Sequence, residues 1–315
     1  MKQHATLRDA ILYFSDFKHC KEFMVELRWP NGKVKCPQCD SEKVTYLAKA
    51  RVWKCYGKHP RPTFTLKTGT IFEDSPIALE KWLPCVWLII NCKNGISSYE
   101  VARDLGVTQK TAWFMLQRAR LAMQDDLTGG NLAGEVEIDE TFIGGKARNM
   151  HRDRKARVQA RGRNTGGKAI VLGMLQRDGN VRASVVSDRT KPTIQEIVRG
   201  NVEPNSEVFS DEHGHQWRLD EYSHKIVNHL EAYVDGNIHT NGIENFWSLL
   251  KRGLHGTYVS VEPFHLFRYV DEQAFRFNHR KLTDVERFII AMRAIVGRRL
   301  TYAQLTGKSQ ATQHG

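Results

Sequence analysis

The spacing of apolar positions changes along this chain and divides it into regions. Residues 1–70 place short alternating stretches, such as "VTYLA" and "TFTLKTGT", among Lys, Cys, Pro and Gly. That pattern predicts small strands and turns around little core. From 76 to 127 the apolar positions recur with helical spacing. The nine-residue run "WLPCVWLII" at 82–90 predicts a buried helix and is too short to cross a bilayer. "LTGGNLAG" (127–134) predicts a linker. Beyond it, "GEVEIDETF", "KAIVLGMLQ" and "NVRASVVSD" read as three successive strands. "KPTIQEIVRG" reads as a helix, "SEVFSD" as a fourth strand, and residues from about 241 as mainly helical. An α/β or α+β core follows. The polar end, "TGKSQATQHG", is expected to fray.

Two of these elements carry acids at telling positions. In "EVEIDET", Val136 and Ile138 alternate with Glu137 and Asp139, giving a strand one apolar and one acidic face. In "HTNGIENFWSLLKR", Ile243, Phe246, Trp247, Leu250 and Leu254 fall on one helical stripe. Glu244 and Lys251 lie within about 20° of each other at the edge of that stripe, and Asn245 points elsewhere. Asn241 to Glu244 also resembles a capping box, a structural use for the same glutamate.

Charge narrows the partners. Forty-seven Lys and Arg against 35 Asp and Glu leave a net +12, with a pI near 9.4. This is the footprint of a protein that meets a polyanion. Nine of the basic residues fall in 146–168 beside a single Asp, among them Arg152, Arg154, Lys155, Arg157, Arg161 and Arg163. Such a run suits contact with DNA phosphates. With no export signal or membrane span evident, a cytoplasmic setting with reduced thiols is expected.

The thiols then point to metal. Cys36 and Cys39 are followed by Cys55 and His59 in the pattern Cys-x2-Cys-x15-Cys-x3-His, a donor set for tetrahedral zinc. Cys20 is a possible substitute ligand, and Cys85 and Cys92 read as core residues. Farther along, "GISSYEVARDLGVTQKTAWFMLQRARLAM" (95–123) has the layout of a helix-turn-helix. Ser97 or Ser98 would cap its first helix, Gly106 supply the turn, and Thr108 cap the second. Ala112, Met115 and Leu116 would face inward, with Gln109, Lys110 and Arg118 outward toward DNA.

Asp139, on the first of these strands, is joined by Asp211, which ends the fourth, and Glu244 on the later helix. Each alone has a bland explanation as a solvated strand face or a helix cap. Together they form a set of hard oxygen donors for a pair of divalent cations, with Lys251 able to hold a phosphate. His224 and His229 in "YSHKIVNHL" are weaker candidates for the same cleft.

"VEIDETFIGGKARNMH", "HTNGIENFWSLLKRGLHGTY" and "HLFRYVDEQAFRFNHR", with "CPQC" and "TGTIF", make the chain resemble an insertion-sequence transposase of the IS1595 type over about residues 20–290. The resemblance implies a ribonuclease-H-like DDE catalytic core at 132–290, preceded by a helix and zinc ribbon at 1–72 and a helix-turn-helix region at 73–128. A tail would occupy 291–315. It implies that Asp139, Asp211 and Glu244 bind two Mg2+ or Mn2+ ions, with Lys251 as the accompanying basic residue. Asn245 or Asn241 are alternatives for the third catalytic residue, because the family varies there and uses Asn in some members. Many relatives complete the ribbon with a second CxxC; here position 58 is Lys, leaving His59 beside it. The expected activity is cleavage and joining of double-stranded DNA at inverted-repeat ends and a target. The expected assembly is a homodimer or larger synaptic complex in a bacterial nucleoid.

Overall fold

The structure is a computed structural model that describes residues 6–124, 130–145, 167–211, 217–227 and 239–307. It divides into two compact units, one formed by 1–124 with 281–315 and the other by 125–280.

The first unit opens with two helices, α1 (Leu7–Phe14) and α2 (Phe17–Arg28). Thr6 and Asp9 close α1 with a capping box, and the Asp16 side chain caps α2. Three short antiparallel strands follow: β1 (Val44–Leu47), β2 (Val52–Cys55) and β3 (Thr63–Phe64). The apolar run forms α3 (Leu79–Asn91), buried from Trp82 to Ile90. Residues 281–307 supply this unit with a further helix, Asp284–Arg293. Its Phe288 ring packs against Phe14, Phe23 and Trp87, with centroids 5.1–5.8 Å apart.

The helical pair is α4 (Ser98–Leu105) and α5 (Gln109–Leu121). Ser97 and Glu100 form a capping box on α4, and Gly106 ends it in the left-handed conformation at φ +59°. Thr108 caps α5, and Gln109 Nε2 donates to Ser98 Oγ across the turn at 2.8 Å. Ala112, Met115 and Leu116 are buried as expected. Arg118 requires a correction, because it too is buried rather than on the outer face. Its guanidinium lies over the Phe114 ring and donates to the carbonyls of Ile71 and Glu73 at 3.1 and 2.7 Å. Those bonds offset the cost of taking the charge out of water.

The second unit is built on one five-stranded mixed sheet. Its strands are β4 (Glu135–Ile143), β5 (Ala169–Gln176), β6 (Val181–Val186), β7 (Glu207–Asp211) and β8 (Ser223–Val227), ordered β6-β5-β4-β7-β8. β4 to β6 run antiparallel, whereas β7 pairs parallel to β4 and β8 parallel to β7. β8 is an element that apolar alternation alone did not reveal.

Strand alternation sends side chains to two separate cores. Val136, Ile138, Leu172 and Met174 pack with Ile194 and Val198 of α6 (Lys191–Asn201). On the other face, Val171, Leu175 and Val181 meet α7 (Asn241–Arg252) and α8 (Leu266–Asn278). The stripe Ile243, Phe246, Trp247, Leu250 and Leu254 is buried throughout. The acidic face of β4 is therefore covered by a helix, with Glu137 only 1% exposed. Among the described residues no helix is long and apolar enough to cross a membrane.

Candidate functional site

A cleft opens where β4 and β7 part. Their parallel pairing ends at Glu137 and Phe209, and Asp139 and Asp211 each stand two residues beyond that pair. Both carboxylates consequently leave the same face of the sheet at the same level. α7 crosses that face and adds Glu244, Ser248 and Lys251 along one edge. The resulting cavity of about 490 Å³ is lined by Asp139, Glu140, Thr141, Asp211, Thr240, Glu244, Trp247, Ser248 and Lys251. All four residues singled out as a catalytic set are among them, drawn from three elements. Neither Asn245 nor Asn241 lines the cleft.

Asp139 is held from two sides. Trp247 Nε1 donates to its Oδ2 and the Glu140 backbone N–H to its Oδ1, both at 2.8 Å. Trp247 can reach because Gly173 faces Asp139 across β4 and β5, and a Cβ there would lie 2.6 Å from the indole. Burial pushes the Asp139 carboxyl up to about 7, and the neighbouring charges of Asp211 and Glu140 add to the rise against the Trp247 bond. Glu244 has a different hold: its Oε1 accepts from the Thr240 hydroxyl at 3.1 Å.

This corrects the capping-box expectation. The helix begins at Asn241 with Thr240 as N-cap, so Glu244 is its fourth residue, and no side chain caps in the usual way. The N–H of Ile243 is instead satisfied by Glu137 Oε2 at 2.8 Å. His224 lies off the cleft, with its Nε2 2.7 Å from Ser210 Oγ. His229 and the basic residues Arg152, Arg154, Lys155, Arg157, Arg161 and Arg163 lie outside the described residues.

The first unit contains the second site. The ligand atoms of Cys36, Cys39, Cys55 and His59 all lie within 4.8 Å of one another. His59 Nε2 is 3.5 Å from Cys36 Sγ, and Cys39 Sγ is 3.6 Å from Cys55 Sγ. The His59 contact, foremost, draws the Cys55 thiol down to about 7, favouring the thiolate a metal needs. Cys20 plays no part, since its Sγ donates to Phe14 O in the core and burial raises its thiol to about 12. Among the described residues this is the one group of three or more Cys, His, Asp or Glu side chains gathered so closely. The cleft acids are not drawn together to that degree.

Comparison with known proteins adds the decisive observation. The ISXO2-like transposase domain model matches residues 131–278, a span that encloses every residue lining the cleft. The transposase zinc-ribbon domain model matches 16–57, taking in Cys36, Cys39 and Cys55. Both are models of IS1595-type transposase domains. An uncharacterized protein in transposable element ISH50 of Halobacterium salinarum is 29% identical over 252 residues, covering 76% of this chain and 84% of that protein. No solved structure matches the chain. In this chain the ribbon match and the Cys3His cluster together point to structural zinc.

Sequence reasoning missed five residues of the lining: Glu140, Thr141, Thr240, Trp247 and Ser248. Trp247 was legible only as a core residue, although a Trp on an apolar stripe must still place its N–H. Thr240 and Ser248 carried no signal beyond their positions one helical turn from, or between, the charged residues.

Proposed function

We propose that the second unit is a ribonuclease-H-like DDE domain that cleaves and joins DNA at the inverted-repeat ends of an insertion sequence. The observation that carries this reading is the common cleft of Asp139, Asp211, Glu244 and Lys251, built from β4, β7 and α7. The sheet order, with three antiparallel strands continued by two parallel ones, supports the fold assignment.

The donor set fits hard divalent cations. Three carboxylates converge on one cleft, and Asp139 is crowded enough by burial and like charge to be raised to about 7. Asp139, Asp211 and Glu244 would hold Mg2+ or Mn2+. Bound there, a cation pair would activate a water or a DNA 3′-hydroxyl and stabilise the charge that develops at phosphorus. The chain's own residues prepare that chemistry. Trp247 fixes the rotamer of Asp139, Thr240 fixes that of Glu244, and Lys251 offers a point charge for a phosphate oxygen.

Binding of the ends is assigned to α4 and α5 as a helix-turn-helix, with exposed Lys110 and half-buried Gln109 at the start of the second helix. Arg118 is excluded from the reading surface by its burial. Two ends require a dimer or a larger synaptic assembly, and the basic run at 146–168 is assigned to phosphate contact.

Purified protein incubated with inverted-repeat DNA and Mn2+ tests the proposal. We expect 3′-end nicking that Asp139→Asn and Asp211→Asn each abolish, and strand-transfer products on supercoiled plasmid. Cleavage without joining would make the protein a nuclease, and binding without cleavage a regulator.

A further inference from the structure

The acidic face of β4 carries a second carboxylate, two residues before Asp139. Glu137 is 1% exposed and does not line the cleft. Both of its oxygens are engaged. Oε2 accepts from the Ile243 N–H at 2.8 Å, one of the donors that the first turn of α7 cannot satisfy internally. Oε1 lies 3.2 Å from Arg177 Nε and 3.4 Å from His239 Nδ1.

Arg177 completes a clasp around the start of the helix. It donates to the His239 carbonyl at 2.8 Å and stacks 3.9 Å above the Phe209 ring. The helix is pressed close against the sheet here: a Cβ on Gly242 would lie 2.9 Å from Glu137 Oε2 and 2.5 Å from the Leu175 side chain. Glu244 comes one residue after the clasped N–H of Ile243, and Ser248 and Lys251 follow along the same edge.

We propose that Glu137, acting with Arg177, is a positioning residue for the cleft. It fixes the first turn of α7 to β4, and thereby Glu244 to Asp139, without itself touching cation or DNA. The chemistry it controls is divalent-cation affinity, because ligands on two elements bind one ion well only when their spacing is preset. The inference rests on reading the cleft as a divalent-cation site.

The test uses the full, zinc-loaded chain and follows free Mn2+ by electron paramagnetic resonance. Glu137→Gln keeps an acceptor for the Ile243 N–H but removes the charge that faces Arg177. Glu137→Gln combined with Arg177→Gln removes both charges, so that neither is left buried alone. Both variants are expected to raise the Mn2+ concentration for half-occupancy about tenfold, the scale of supporting interactions around metal ligands. Cleavage should recover to within about threefold of wild type once Mn2+ saturates, a scale set by the intact ligands.

Folded variants that bind Mn2+ like wild type would overturn the positioning role and leave the cleft reading standing. Binding that no Mn2+ concentration restores would make Glu137 a ligand, which also overturns it. Failure of both variants to fold would make the clasp a stability element only. Asp139→Asn runs alongside: if it titrates like wild type, the cation reading of the cleft fails instead.

Discussion

Trp247 reaches down from α7 to donate its indole N–H to Asp139 on β4, 2.8 Å away, across the gap left by Gly173. One residue thus belongs both to the apolar stripe that docks the helix and to the polar lining of the cleft. Folding of the helix onto the sheet and orientation of the first carboxylate are the same event.

Trp247→Phe keeps most of the buried ring and deletes the donor. A hydrogen bond to a charged group contributes about 1.5–3 kcal/mol, so single-turnover cleavage at saturating Mn2+ should slow about 10- to 100-fold. An unchanged rate would remove Trp247 from the site. Gly173→Ala should destabilise the second unit by about 1–3 kcal/mol through overpacking against the indole. Denaturant unfolding followed by tryptophan fluorescence would show it.

The raised carboxyl of Asp139 has a definite pH consequence. Its folded value, about 7, stands above the ordinary 3.8, so ionisation is disfavoured in the fold. In protein free of Mg2+ and Mn2+, its contribution to stability is therefore fullest below pH 4 and declines as pH rises through about 7. A cation must displace that proton, so Mn2+ affinity should climb with pH up to about 7 and then level off. Isothermal titration in two buffers of different ionisation enthalpy would count the proton released at pH 6. Zero release would contradict the assignment.

The ribbon should carry one zinc per chain, measurable by elemental analysis. His59→Ala is expected to lower zinc affinity sharply, whereas His59→Cys should retain the metal by supplying a thiolate at the same corner. Chelation should alter the fluorescence of Trp53, which is buried in the strand that ends at Cys55. Equal zinc retention by the alanine variant would exclude His59 as the fourth ligand.

Arg118 and Lys110 separate packing from DNA contact within one helix. Arg118→Ala should cost about 1.5–3 kcal/mol of stability, because it strips a charged donor from the carbonyls of Ile71 and Glu73. Lys110→Ala should leave stability unchanged and reduce the salt dependence of end binding by about one counterion. Fluorescence anisotropy across a salt series distinguishes the two outcomes.

The local elements were legible because each depends on neighbours in sequence. Apolar spacing marked α3, α7 and four of the five strands of the second unit, and the caps at Ser97, Gly106 and Thr108 stood in the sequence as they stand in the fold. Cys-x2-Cys-x15-Cys-x3-His named a metal set whose ligand atoms the fold brings within 4.8 Å of one another. Helix phase also separated Glu244 from Asn245, since a stripe edge is fixed by 100° per residue.

Tertiary structure decided what those residues face. Arg118 has the spacing of an outer position, yet carbonyls from another segment take it inward. Glu244 has the spacing of a cap, yet its carboxylate accepts from the Thr240 hydroxyl, and Glu137, 106 residues from Ile243, takes the helix-end N–H. Asp139 and Asp211 share a cleft because two strands distant in sequence pair in parallel and then part. Sequence alone determined which residues carry charge and on which side of an element they stand. Which partner lies opposite each one depends on the register between distant elements, and packing sets that register.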